Sequence, residues 1–242
     1  MMDDRFEDER NDELTEDKKQ ERWDKIHSRT VDRDAIRGQY DGWLEQNSRI
    51  EELLKECKTP ILDLGCGVGI DTLHLVESGH RVIASDFSAE ALKKVEQNIP
   101  EARTLQFNMK EKFPFGNELF DFIVANKSIH YFSEEETRQI VEELYRVIKP
   151  NGVFAFVVNS INDSNFGAGQ GRMIEDNYYE VRGTTKRFFD EESLKKFFDS
   201  EHWEFIYMNE NEINDERIKT VQMDSKQTEN KKVTWTCAVR RK

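Results

Sequence analysis

Ile61-Leu62-Asp63-Leu64-Gly65-Cys66-Gly67-Val68-Gly69-Ile70 is the stretch that decides the fold. A short apolar run ends in three glycines at alternate positions, and a helix-like pattern follows at once. Such a strand, tight turn and helix N-terminus bring bare backbone against a nucleotide-like ligand. The spacing is G-x-G-x-G. The dinucleotide fingerprint G-x-G-x-x-G wants a third glycine where this chain has Ile70, so the spacing argues against a pyrophosphate ligand.

Outward from this turn, 242 residues suit one sizeable α/β domain with an appended arm. Residues 1–21 are almost entirely polar and charged, with Phe6 and Leu14 as the large apolar exceptions after the initial methionines. They read as a flexible acidic arm, because they bury too little surface to offset the entropy of ordering. The net charge of −13 disfavours nucleic acid as a partner. The basic clusters Lys231-Lys232 and Arg240-Arg241-Lys242 flank a closing strand, where a solvated edge explains them. Cys57, Cys66 and Cys237 are far apart, which predicts reduced thiols and neither a disulfide framework nor a metal site. No apolar run approaches a membrane span and no signal-peptide core opens the chain, so a soluble, cytoplasmic protein is expected.

Residues 22–58 read as a helical cap, with Asp41 to Leu54 an amphipathic helix. Residues 59–158 form the cofactor-binding core, and 159–242 hold an insertion and the closing strands on the substrate side. Within the core, strands are expected at Ile61–Leu64, Arg81–Ser85, Arg103–Phe107, Phe120–Ala125 and Val153–Val158. Helices fall between them, one ending at Gly79, one capped by Ser88, and one opened by the capping box Ser133-Glu134-Glu135-Glu136. Strict alternation of β and α units predicts a parallel sheet with helices on both faces. Asn159 to Arg187 reads as a loose segment. Asp190 caps a short helix, and the last two strands, near Phe205–Asn209 and Val233–Val239, form an antiparallel pair.

Ligands of open α/β sheets bind at the carboxyl ends of the strands. Asp63 and the glycine turn follow the first strand. Asp86 follows the second, where a carboxylate accepts from two vicinal ribose hydroxyls. Asn108-Met109 follow the third, offering an amide oxygen to an exocyclic amine and a thioether to a ring. Asn126, Lys127, Ser128, His130 and Tyr131 follow the fourth, where backbone suits a charged, amino-acid-like tail.

Four pieces in order resemble the class I S-adenosylmethionine-dependent methyltransferases, with the small-molecule and tellurite-resistance-type members the nearest likeness. They are Leu62 to Gly69, Val82-Ile83-Ala84-Ser85-Asp86-Phe87-Ser88, Phe120-Asp121-Phe122-Ile123-Val124, and Leu144-Tyr145-Arg146-Val147-Ile148-Lys149-Pro150-Asn151-Gly152. The resemblance implies a Rossmann-like, seven-stranded, mostly parallel sheet of order 3-2-1-4-5-7-6 with strand 7 antiparallel. It implies that Gly65, Cys66, Gly67 and Gly69 pass beneath the methionine part of S-adenosyl-L-methionine. Asp86 would hold its ribose, Phe87 and Met109 would sandwich adenine with Asn108 at the amino group, and Asp63 and Asn126 would border the methionine tail. Many members have Asp where this chain has Asn108, and an amide still accepts from adenine.

The expected reaction is in-line methyl transfer to a small-molecule acceptor. His130 is the candidate general base, since its ordinary pKa suits neutral pH. Trp23, Tyr40, Tyr131, Arg172, Tyr178 and Arg187 are candidates for the acceptor's pocket, the arginines for an anionic group. A protein or RNA methyltransferase, an NAD-dependent oxidoreductase and a non-catalytic S-adenosylmethionine-binding protein are the competing readings.

Overall fold

The computed structural model describes residues 15–45, 47–181, 183–214 and 231–242. Helices α1 (Glu16–His27), α2 (Arg33–Arg37) and α3 (Ser48–Glu56) precede β1 (Ile61–Leu64). The core continues as α4 (Ile70–Glu77), β2 (Val82–Asp86), α5 (Ala89–Asn98), β3 (Arg103–Gln106) and β4 (Phe120–Asn126). A 3-10 turn (Ile129–Tyr131) then leads to α6 (Glu134–Val147) and β5 (Ile148–Asn159). Three short strands follow, β6 (Arg172–Glu175), β7 (Tyr178–Val181) and β8 (Thr184–Arg187). The chain closes with α7 (Glu191–Phe197), β9 (Trp203–Asn214) and β10 (Lys231–Arg241).

The main sheet has seven strands in the order β3-β2-β1-β4-β5-β10-β9. Strands β1 to β5 pair in parallel, and β10 runs antiparallel to both β5 and β9. This is the expected order 3-2-1-4-5-7-6, with β10 as the antiparallel seventh strand. The central strands are apolar along most of their length because both their faces are covered. Along β5, Phe154, Phe156 and Val158 pack on the side of α6 and α7, with Ile140, Leu144 and Phe198. Val153, Ala155 and Val157 pack on the opposite side with Trp43, Ile50 and Leu54. Period-two alternation thus feeds two cores from one strand.

The helix signals hold. Ser88 Oγ accepts from Ala91 N at 3.1 Å. Ser133 and Glu136 form the reciprocal capping box, at 3.2 and 2.8 Å. Asp190 caps α7, and Gly79 takes φ +88° just past α4.

Three expectations are corrected. The helix expected from Asp41 starts only at Ser48, where Asn47 accepts from Arg49 N and Ile50 N. Trp43 and Leu44 are buried as the amphipathic pattern required, but they sit in a turn that Trp43 anchors through its indole N–H to Asp71 at 2.8 Å. The segment after β5 is a three-stranded antiparallel sheet, β6-β7-β8. Within the supposed arm, residues 16–21 are helical, Thr15 capping their N-terminus; residues 1–14 lie outside the described residues. Acidic residues in the first turn and Lys25 and His27 in the last complement the helix dipole. Glu16 finds Lys110 Nζ at 2.7 Å.

Leu144→Ala removes a fully buried side chain at the α6–sheet contact. It should cost about 2–5 kcal/mol, measured as a lower urea midpoint; an unchanged midpoint would remove α6 from the core.

Candidate functional site

At the end of β1, Gly65 N and Cys66 N donate to the carbonyl of Ser85 at 2.8 and 2.9 Å, tying the turn to β2. Gly65 has φ +78°, and a Cβ there would lie 2.3 Å from Ser128 Cβ and 2.9 Å from Met109 Cε. Only glycine fits. A Cβ on Gly69 would lie 2.7 Å from Ile99 Cδ1. Close packing of α4 against α5 therefore falls on Gly69, and Ile70 needs no glycine.

Three carboxylates surround this turn. Asp63 is buried and accepts from Thr72 Oγ1 at 2.5 Å. Asp71, in the first turn of α4, accepts from Trp43 and is hydrogen-bonded by Asn126. Asp86 accepts from Gly67 N at 2.9 Å through one oxygen and from Ser88 N at 2.8 Å through the other. Burial drives the pKa of all three upward, and for Asp63 the neighbouring Asp71 and Asp86 add to it. Burial and the same acids also raise the Cys66 thiol, so it remains protonated.

Helix α1 lies over the ends of β2 and β3. Asp24 accepts from Ser88 Oγ at 2.6 Å and from Glu90 N at 3.2 Å. His27 approaches Gly67. Its pKa is lowered by burial, against the pull of Asp86 and Asp24. Asn108 donates to Glu16 Oε2 at 3.0 Å and accepts from Lys110 N at 3.0 Å. Met109 packs at the turn and against the main core, while Phe87 directly follows Asp86 and its carbonyl accepts from Gln106 at 3.0 Å.

At the end of β4, Ser128 Oγ donates to the Leu64 carbonyl at 2.6 Å, joining the fourth strand to the turn. Asn126 Oδ1 and His130 Nδ1 are both buried with no hydrogen-bond partner among the described residues. Burial, then Lys232, Lys186 and Lys127, push the His130 pKa well below its ordinary value. The ring is neutral at pH 7 and is a weak proton acceptor. Tyr131 meets Trp23 edge-on with ring centroids 4.8 Å apart.

The structure brings together Asp63, the glycines, Asp86, Asn108, Met109, Asn126, His130, Tyr131 and Trp23. It separates the other pocket candidates. Tyr40 stacks on His74 at 3.9 Å and donates to Glu45, against α4. Arg172 is exposed and pairs with Glu180 across the small sheet. Arg187 is buried and committed to Glu175, to the Phe132 carbonyl at 3.1 Å and to the Asp176 carbonyl at 3.3 Å. Its guanidinium lies over the rings of Tyr178 and Phe197. Neither arginine is placed to receive a substrate anion. Tyr178 donates to the Tyr131 carbonyl at 3.2 Å and supports the loop from behind. Sequence reasoning missed Asp71, Asp24 and His27. An acid in the first turn of a helix ordinarily reads as a dipole partner, and Asp24 and His27 carried no spacing signal.

Residues 61–152 match the family model described as a methyltransferase domain. The chain is 36% identical over 97 residues to an uncharacterised methyltransferase of Synechocystis sp., covering 40% of this chain and 45% of that one. It is 33% identical over 110 residues to a glycine/sarcosine N-methyltransferase of Halorhodospira halochloris, covering 43% and 41%. The chain thus spans about half the length or less of these curated relatives. A solved S-adenosylmethionine-dependent methyltransferase of Methanosarcina mazei superposes with a TM-score of 0.64 at 22% identity, over 80% of this chain and 97% of the other. One from Anabaena variabilis gives 0.65 at 16% identity, over 94% and 95%. Residues 61–152 thus carry a methyltransferase domain, and the chain shares the fold of solved S-adenosylmethionine-dependent methyltransferases. Among the described residues, no helix is long and apolar enough to cross a membrane.

The residues present fit S-adenosyl-L-methionine, the cofactor on which these solved methyltransferases depend. It carries an ammonium and a sulfonium, and the turn offers three crowded carboxylates. Gly65 leaves no room for a Cβ beside the turn, and Asn126 Oδ1 is a buried acceptor with no donor among the described residues. Asp86 uses one lone pair on each oxygen, leaving capacity for ribose hydroxyls.

A cationic ligand favours ionised Asp63, Asp71 and Asp86, whose pKa values are raised without it. Affinity for S-adenosyl-L-methionine should therefore climb as pH rises above the usual carboxylate range, and level off once these acids are ionised unaided. Calorimetric titration across pH checks this; affinity flat or falling with pH would contradict it. Gly65→Ala should abolish measurable binding in the same assay, and wild-type affinity would contradict the close approach at the turn.

Proposed function

We propose that the chain transfers a methyl group from S-adenosyl-L-methionine to a small-molecule acceptor. The observation that carries this reading is Asp86, held by Gly67 N and Ser88 N one strand beyond a glycine turn that rejects a Cβ. When bound, the cofactor supplies a methyl already activated on sulfur, and this chain's part is to bind, orient and exclude water. Asp86 would hold the ribose hydroxyls, Asp63 and Asn126 the ammonium end, and Met109 and Phe87 the adenine. Trp23 and Tyr131 close the carboxyl end of the sheet. Holding the acceptor in line with the methyl supplies about 7–11 kcal/mol of barrier reduction.

The family likeness supports methyl transfer, and the small-molecule acceptor has separate support. A solved relative by fold, from Burkholderia thailandensis, is a 1,6-didemethyltoxoflavin N1-methyltransferase bound to 1,6-didemethyltoxoflavin and S-adenosylhomocysteine, with a TM-score of 0.57 and 19% identity. The net charge of −13 argues against RNA. His130 acts as a neutral wall of the pocket, because its surroundings disfavour the imidazolium that a general base must become.

Binding by calorimetry should show S-adenosyl-L-methionine bound and NAD ignored, with affinity lost in Asp86→Ala. Binding of NAD alone, or an Asp86→Ala protein of wild-type affinity, would overturn the cofactor assignment. His130→Ala should keep kcat within about tenfold of wild type, against the roughly 10²–10⁴-fold loss expected if a general base were removed.

A further inference from the structure

Asp71 stands in the first turn of α4, yet its carboxylate is 6% exposed and its hydrogen-bond partners lie outside that helix. Trp43 Nε1 donates to Asp71 Oδ1 at 2.8 Å, and the Asn126 amide is hydrogen-bonded to the same carboxylate. Burial raises the Asp71 carboxyl, and these two bonds act against that rise, favouring the ionised form.

The sheet places Asn126 for this contact. Phe122 and Val124 of β4 face the core that holds Trp43. Period two puts Asn126, the last residue of β4, on the same side. Lys127 then turns the chain at φ +59°, uncommon for a residue with a side chain, while its N–H donates to the Val157 carbonyl at 2.9 Å. The backbone around Asn126 is held, and only the direction of its amide remains to be set.

Hydrogen-bond polarity sets it. An indole N–H only donates and an ionised carboxylate only accepts, so Asn126 must offer Asp71 its NH2. The amide oxygen is then left over, and Asn126 Oδ1 is buried with no hydrogen-bond partner among the described residues. Buried acceptors left this way are rare unless a ligand or water completes them. The path from Trp43 through Asp71 to Asn126 ends on a lone pair, at the carboxyl end of the strand beside β1.

We propose that Asp71 is a positioning residue: braced by the Trp43 indole, it holds the Asn126 amide so that its oxygen, and not its NH2, meets the ammonium of S-adenosyl-L-methionine. This rests on the methyltransferase reading for the ligand. A reversed amide would set donor against donor. Asp71→Asn imposes that reversal, because the new amide gives its oxygen to Trp43 and its NH2 to Asn126, which must then turn its own NH2 to the cofactor. Removing the indole donor as well, by Trp43→Phe, frees the new amide to offer its oxygen to Asn126.

Calorimetry on the full-length protein compares S-adenosylhomocysteine with its desamino analogue, which keeps adenine, ribose and carboxylate but has no ammonium. Asp71→Asn should weaken S-adenosylhomocysteine by about ten- to a hundredfold, the loss of one hydrogen bond to a charged group, and leave the analogue unchanged. Asn126→Ala should show the same split. Adding Trp43→Phe to Asp71→Asn should restore binding of S-adenosylhomocysteine, which a purely structural role would not do, since the second substitution removes a further hydrogen bond. Equal losses for both ligands, wild-type affinity for S-adenosylhomocysteine in Asp71→Asn or Asn126→Ala, or no recovery in the double variant would overturn the positioning role. Wild-type protein that binds neither ligand would instead overturn the methyltransferase reading.

Discussion

Asp63, Asp71 and Asp86 crowd one glycine turn with no lysine or arginine among their hydrogen-bond partners in the described residues, and the neighbouring structure is arranged to keep them there. Burial raises all three, and each pK unit of such a shift corresponds to about 1.4 kcal/mol. Trp43, Thr72 and the backbone N–H groups of Gly67 and Ser88 offset part of that cost. Trp43 is buried in a turn that precedes α3, where its indole N–H makes this contact. A protein that maintains such a cluster stores affinity for a cation, and a sulfonium cofactor with an ammonium tail supplies two positive centres.

Helix α1 completes the arrangement from outside. Its residues are exposed or half-buried, so its position depends on a few contacts: Asp24 on the N-terminus of α5, Glu16 on Asn108 and Lys110, and the edge-on packing of Trp23 against Tyr131. Contacts of this kind are individually weak at a surface. The acidic residues of this segment, which look like solvent-directed charge in sequence, are matched to cations and helix ends on the core. Insertion strand β8 adds the facing wall through Thr185 and the Tyr131 carbonyl.

Much of the fold was legible because its signals are local and backbone-driven. Gly65 and Gly69 mark places where a Cβ cannot fit, Ser88 and Ser133 cap helices, and the apolar runs of β4 and β5 mark strands buried on two faces. The small sheet was less legible. Its strands are four residues each and largely polar, although Asp176-Asn177, with Asn177 at φ +56°, is a hairpin-turn signal between two of them. The cluster at the carboxyl ends of the strands, proposed here to hold the cofactor, followed from what comes after each strand. The acceptor side did not, because Arg187 and Arg172 read as free cations in sequence, whereas burial against Glu175 and pairing with Glu180 occupy them.

The most direct measurement is a crystal structure of the full chain with S-adenosylhomocysteine. The ribose hydroxyls should sit on the carboxylate of Asp86, the ammonium on Asp63 or Asn126, and the thioether above Gly65 to Gly69. A ligand bound elsewhere, or one seated at the turn with Asp86 still bonded only to Gly67 and Ser88, would contradict the assignment of this turn as the methyl-donor site.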